Sequence, residues 1–209
     1  AFNVNGFINC IGGGKTFMEY MEEMTKAFQY EKKLSEYCIS HGTSKVSCVI
    51  AAGEEVLSGY TFPIVPYLIF EMATGDIRQK LQYSNALDFA WKLKSLHDIA
   101  VGIKQLHSIN VSHQDIKPSN VLLFNTESKI GDLGRSMCPT LHGPYDEMPF
   151  SGDNTYAPPE VWFNSHIHLE WHERNYAIDC YLLGSLITYY VTGLCMTALL
   201  QAEINLTWR

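Results

Sequence analysis

Residues 181–202 include no charged side chain, and this run limits the possible folds more than any other stretch. It is long enough either to cross a bilayer or to form the central helix of a helical lobe. Gly184, Ser185, Thr188, Tyr189, Tyr190, Thr192 and Gly193 interrupt the aliphatics. Asp179 and Glu203 bracket the run where a membrane span would carry Lys or Arg. The composition therefore predicts a fully buried central helix and no membrane span. Such a helix needs a large core around it, which 209 residues at 46% hydrophobic and 18% charged can supply. The same figures exclude a disordered chain.

Fifteen Lys and Arg against 22 Asp and Glu give a formal net charge of -7, which argues against a general nucleic-acid binder. The cysteines Cys10, Cys38, Cys48, Cys138, Cys180 and Cys195 form no Cys-x-x-Cys pair. They read as small hydrophobes in a reducing compartment, so a cytoplasmic location is expected. The first residues lack a basic segment and a long apolar core, and no secretory leader is expected from them.

Residues 6–11 and 16–21 read as strands around the Gly12-Gly13-Gly14 turn, followed by a helix over 22–37 with a stripe of Met24, Ala27, Phe28, Leu34 and Tyr37. Residues 46–52 and 67–72 are apolar and rich in strand formers, with Pro63 and Pro66 marking the loop between them. After Gly75 the texture turns helical. Residues 87–107 place Leu93, Leu96, Ala100, Ile103 and Leu106 on one face. Short strands are predicted over 120–124 and 129–131, an irregular stretch over 133–156, and helix from about Tyr176. Strands with one helix, then mostly helices, describe an α+β chain in two lobes.

Three polar islands lie along the middle of the chain: His113-Gln114-Asp115-Ile116-Lys117-Pro118-Ser119-Asn120, Gly131-Asp132-Leu133-Gly134, and Gly152-Asp153-Asn154-Thr155-Tyr156-Ala157-Pro158-Pro159-Glu160. Phosphoryl transfer needs such a set. One carboxylate orients a hydroxyl, a cation steadies the phosphate, and further oxygens hold a divalent metal.

In order and spacing these islands resemble the catalytic loop, magnesium motif and activation-segment end of the eukaryotic-type Ser/Thr protein kinases. The resemblance covers residues 67–194 closely. It implies a two-lobed protein-kinase-like fold, with a small β-rich N-lobe over residues 1–72 and a mainly helical C-lobe over 73–209, incomplete at its ends. The reaction it implies is Mg-dependent transfer of the ATP γ-phosphoryl group to Ser or Thr of a protein substrate. By resemblance, Asp115 is the catalytic base, Lys117 a Ser/Thr-type companion, and Asn120 and Asp132 the magnesium ligands. Phe70, Glu71 and Met72 match the gatekeeper and adenine hinge, Leu122 lies under the adenine, and Asp179 with Gly184 opens the central helix.

Several positions depart from the family pattern. Gln114 stands where many kinases carry Arg, so the usual grip on an activation-loop phosphate is missing. Leu133 replaces the more common Phe, Asp153 a frequent Thr, and Pro158 an Ala. No Gly-x-Gly-x-x-Gly loop is found. Glu31 is a candidate for the helix Glu of the family ion pair, and Lys15 the only weak candidate for its Lys. A pseudokinase scaffold and a small-molecule kinase are the competing classes. Gly12-Gly13-Gly14-Lys15-Thr16 fails as a P-loop because Asn9 occupies the first glycine position. His166, His168 and His172 with Glu170 and Glu173 fit no zinc spacing and read as a solvated loop.

Overall fold

Thr16 opens the first described element with a reciprocal cap. Its hydroxyl accepts from the Glu19 N–H, and the Glu19 carboxylate accepts from the Thr16 N–H at 2.7 Å. The computed structural model describes residues 16–56, 58, 64–82, 88–163, 165 and 168–207. Helix α1 runs over Phe17–Ser40. The strand expected over 16–21 is therefore its first turn, because the capping box fixes a helix start there. The glycine turn and the strand over 6–11 lie outside the described residues. Helix α1 buries Tyr20, Tyr30, Leu34, Ser35 and Cys38, with Tyr30, Leu34 and Cys38 at four-residue spacing. Met24, Ala27 and Phe28, expected on the core stripe, instead face a cleft.

Strand β1 (Val49–Val56) pairs antiparallel with β2 (Ile64–Phe70), Val49 opposite Phe70 and Glu54 opposite Pro66. Pro66 is thus inside a strand rather than in the loop, which an edge strand tolerates. Pro63 lies outside the described residues. Two residues, Gly75 and Asp76, form β3 beside β4 (Val121–Leu123), which pairs in turn with β5 (Ser128–Ile130). Helix α2 (Ile77–Gln82) follows β3.

Helix α3 (Phe89–Ser108) is capped by Asp88, whose carboxylate accepts from the Ala90 N–H at 3.1 Å. It buries Ile99, Gly102, Ile103 and Leu106, but Leu93 is exposed. The real seam is rotated from the expected one because Ser95 and Asp98 also turn inward. Ser95 Oγ meets the hydroxyls of Ser128 and Tyr190 at 2.6 and 2.7 Å, and Asp98 accepts the Ser128 N–H. Polar side chains satisfied by long-range partners cannot be told from surface ones by periodicity.

A single turn, α4 (Pro159–Trp162), precedes α5 (Trp171–Thr192), which begins five residues earlier than Tyr176. Gly193 ends α5 at φ 74, a left-handed cap that glycine adopts without steric cost, and α6 (Met196–Thr207) leaves at 94° to it. The uncharged run is thus two helices. Among the described residues no single helix is long and apolar enough to cross a membrane. The central helix is buried on one face by Ile178, Leu182, Leu186 and Tyr190, while Ile187 and Val191 are exposed, so the expectation of burial all round is corrected. A small antiparallel N-lobe over a helical C-lobe is the resulting architecture.

Candidate active site

The loop after α3 folds around one buried carboxylate. Asp179, on α5 and fully enclosed, accepts the backbone N–H groups of His113 and Gln114 at 2.9 and 2.8 Å and the Ser112 hydroxyl at 2.9 Å. His107 Nε2 lies 2.8 Å from the same group. Carboxylates are held in an apolar interior only when satisfied in this way. The bonds also hold Gln114 at φ 67, a left-handed conformation that costs a long side chain roughly 1–3 kcal/mol.

That twist sends Asp115 outward. Its own N–H donates to His113 Nδ1 at 3.2 Å, while His113 Nε2 meets the Gly131 carbonyl at 3.0 Å and so ties the first polar island to the second. The Asn120 amide nitrogen donates to the Asp115 carbonyl and carboxylate, both at 2.9 Å. This fixes the amide so that its oxygen is the free end, met only by the Ser119 hydroxyl at 3.4 Å. Asp132 is left-handed as well, at φ 62, and accepts the Gly134 N–H at 3.2 Å. Strained non-glycine residues of this kind concentrate at working sites.

Two neighbouring cavities receive these groups. One of about 570 Å³ is lined by Asp115, Lys117 and Asp132 below and by Phe28 of α1 and Tyr67 of β2 above. The other, about 400 Å³, is lined by Asn120, Leu122, Phe70, Ser47, Glu31 and Asp132. Asp115 and Asp132 thus line the first cavity and Asn120 and Asp132 the second, with Phe70 at the wall of both and Leu122 at the wall of the second. The side chains of Glu71 and Met72 turn away. Glu71 pairs with Lys129 at 2.8 Å, Met72 is 90% exposed, and neither residue lines the two cavities.

Lys117 lies 2.9 Å from Asp115 Oδ2 and 3.3 Å from Asp153 Oδ2. Partial burial pulls its ammonium down, but the bond to Asp115 and the field of both carboxylates outweigh it, and its pKa lies above the ordinary lysine value. The Asp132 carboxylate and the Asn120 amide oxygen form an all-oxygen pair, the donors Mg²⁺ takes together with phosphate oxygens and water. The donor set fits that ion. The histidine group does not form a site. His172 Nε2 meets Asn110 Oδ1 at 3.1 Å, His166 lies outside the described residues, and among the described residues no three His, Cys, Asp or Glu side chains gather around a metal position.

Glu31, from α1, reaches the same cleft. Burial and the neighbouring Asp132 carboxylate push its pKa up to about 7. Lys15, the candidate partner, lies outside the described residues. A carboxyl that is harder to ionise folded than unfolded contributes stability that is full below about pH 4.5 and lost as pH rises through about 7. Glu31→Gln should accordingly melt higher than the wild type at pH 8, by on the order of 1–3 kcal/mol, and nearly with it at pH 5. Thermal melts of the metal-free chain at both pH values check this, and an equal difference at both would contradict it.

Comparison with known proteins agrees with the geometry. A family model described as a protein kinase domain matches residues 54–204, well over half of the chain. The chain belongs to the protein kinase family. Aurora/IPL1-related protein kinase 2 of Caenorhabditis briggsae is 32% identical over 130 residues, covering 61% of this kinase-family chain and 39% of that protein. Mitogen-activated protein kinase 5 of Arabidopsis thaliana is 31% identical over 127 residues, 60% of this chain and 32% of that protein. The longest of these similarities is to serine/threonine-protein kinase SBK1 of Danio rerio, 26% identical over 195 residues, 89% of this chain and 46% of that protein. The kinase-family chain thus spans less than half the length of these relatives.

Two features of the site escape motif reading. Asp153 looks like a tolerable substitution, yet it contacts both Lys117 and Asp115. The α1 residues Met24, Ala27 and Phe28 read as core and form a cleft wall instead. The carboxylate directly after Gly152 was the available signal for the first; for the second there was none.

Proposed function

We propose that this chain transfers the γ-phosphoryl group of ATP to a Ser or Thr hydroxyl of a protein, with Mg²⁺, in a cleft between an N-lobe of residues 1–72 and a C-lobe of residues 73–209. The observation that carries the reading is the meeting of Asp115, Lys117, Asn120 and Asp132 at that cleft. Asp115 orients the acceptor hydroxyl and takes its proton as the new O–P bond forms and the β–γ bridging oxygen departs with ADP. Lys117 steadies charge on the transferring group. Asn120 and Asp132 would hold the metal, which supplies charge neutralisation at the phosphates when bound. Phe70 and Leu122 offer apolar surface to the adenine, and the backbone of Glu71 and Met72 offers its edge hydrogen bonds. The Ser/Thr preference is supported by Lys117 and by the name of the zebrafish relative.

Radiolabelled ATP with Mg²⁺ and a generic protein acceptor tests the reading, alongside thermal shift by ATP and Mg²⁺. Label in protein supports it. A shift with no transfer assigns the fold to a nucleotide-binding scaffold, and label only in metabolites assigns it to a small-molecule kinase. Because Gln114 cannot grip a phosphate as Arg does, a phosphatase-treated sample should keep its transfer rate within about twofold. A treated sample that loses activity would show that a phosphate is needed after all.

A further inference from the structure

This inference rests on the phosphoryl-transfer reading and deepens it. Asp153 follows Gly152 at the point where the irregular stretch returns to the catalytic loop. A Cβ on Gly152 would sit on the Gln114 carbonyl oxygen and 2.6 Å from the Phe150 ring, so segment and loop are in direct backbone contact there. Ser151 Oγ donates to the Arg135 carbonyl at 2.5 Å on the near side. From this fixed point the Asp153 N–H donates to Asp115 Oδ1 at 3.0 Å, and its Oδ2 lies 3.3 Å from Lys117 Nζ. The other oxygen, Oδ1, accepts the N–H and hydroxyl of Thr155 at 3.0 and 2.7 Å. The carboxylate is therefore oriented by bonds that do not involve Lys117.

A lysine on a four-carbon stem paired with a single carboxylate keeps much of its freedom. Here Nζ has two anchors, Asp115 Oδ2 at 2.9 Å and Asp153 Oδ2 at 3.3 Å, and its side chain is only 21% exposed. An uncharged hydroxyl at position 153 could not supply the second anchor's charge. We propose that Asp153 is a positioning residue, an ion-pair clamp from the activation segment that holds Lys117 and Asp115 in their transfer geometry without any phosphate. It serves the reaction through Lys117 and does not itself meet the substrate.

Asp153→Asn separates this role from loop building. The amide keeps an oxygen for Thr155 and leaves the backbone bond to Asp115 intact, but removes the charge facing Lys117. Two readouts apply to the whole chain. Acetylation of Lys117 by an amine-reactive ester, followed by peptide mass spectrometry, reports its anchoring whether or not the protein is active. Steady-state transfer with ATP, Mg²⁺ and a generic acceptor reports the chemistry. The clamp predicts that Asp153→Asn labels Lys117 several-fold faster and loses roughly tenfold in kcat, with KM for ATP within about twofold. Asp153→Glu, which restores the charge, should recover most of the protection. Unchanged labelling and kcat in Asp153→Asn, with loss only in Asp153→Ala, would overturn the clamp and leave a turn-forming residue. If the wild type transfers nothing, the phosphoryl-transfer reading falls, and the labelling rates alone decide whether Asp153 anchors Lys117.

Discussion

Asp132→Asn should abolish metal-dependent transfer, by at least ~100-fold and toward 1,000-fold, while the protein melts within a few degrees of the wild type. The asymmetry follows from two roles carried by one side chain. Structurally, Asp132 sits at φ 62 and accepts the Gly134 N–H at 3.2 Å. Asn enters the left-handed region almost as readily as Asp and keeps an oxygen for that bond. Chemically, the charge is what a hard divalent cation needs, and a neutral amide beside Asn120 leaves two weak neutral donors where there was a carboxylate and an amide. Asp132→Ala is the instructive contrast, because it loses the cap to Gly134 and keeps the backbone strain, so stability should fall together with activity. Transfer assays and melts on both variants check the separation. An Asn variant that transfers at the wild-type rate would remove Asp132 from the metal site.

What could be read in advance divides by the range of the interaction. His113, Asp115 and Asn120 bond to one another across two and five residues, so the loop carries its own geometry in its sequence and its parts were legible as a set. The order and spacing of the three islands then implied the cleft. Contacts made across the chain were not legible. Lys117 and Asp153 are 36 residues apart and Gln114 and Asp179 are 65 apart, and no pattern of residue types announces either pair. The errors in local structure have the same origin. Residues 16–21 have a strand-like composition, but Thr16 and Glu19 close a capping box whose bonds outweigh it. On α3, the apolar stripe through Leu93 competed with a seam through Ser95 and Ile99. The seam won because Tyr190 and Ser128 satisfy its buried hydroxyl. In the uncharged run, composition did not announce the break at Gly193, which divides it between two helices.

The dependence of the active loop on a distant residue gives the largest expected effect on stability. Asp179→Ala should cost about 3–5 kcal/mol, lowering the melting midpoint by about 10 °C. Removing the carboxylate leaves the His113 and Gln114 N–H groups without an acceptor in a buried pocket, while the Ser112 hydroxyl keeps the Asn175 carbonyl at 3.0 Å, and an unmet buried donor costs about 1–3 kcal/mol. Asp179→Asn is only a partial remedy, because the His113 and Gln114 N–H groups use different oxygens and the amide nitrogen then faces one of them, donor against donor. It should fall between Ala and wild type. The loss also reaches the chemistry. Those two N–H bonds hold Gln114 at φ 67, and that twist turns Asp115 into the cleft. Under conditions where Asp179→Ala remains folded, transfer should therefore drop further than for a variant equally destabilised elsewhere, such as Leu182→Ala in the core below. Urea midpoints and transfer rates for the two variants make the comparison. Equal loss of activity at equal loss of stability would mean that Asp179 supports the fold in general and does not aim the catalytic loop.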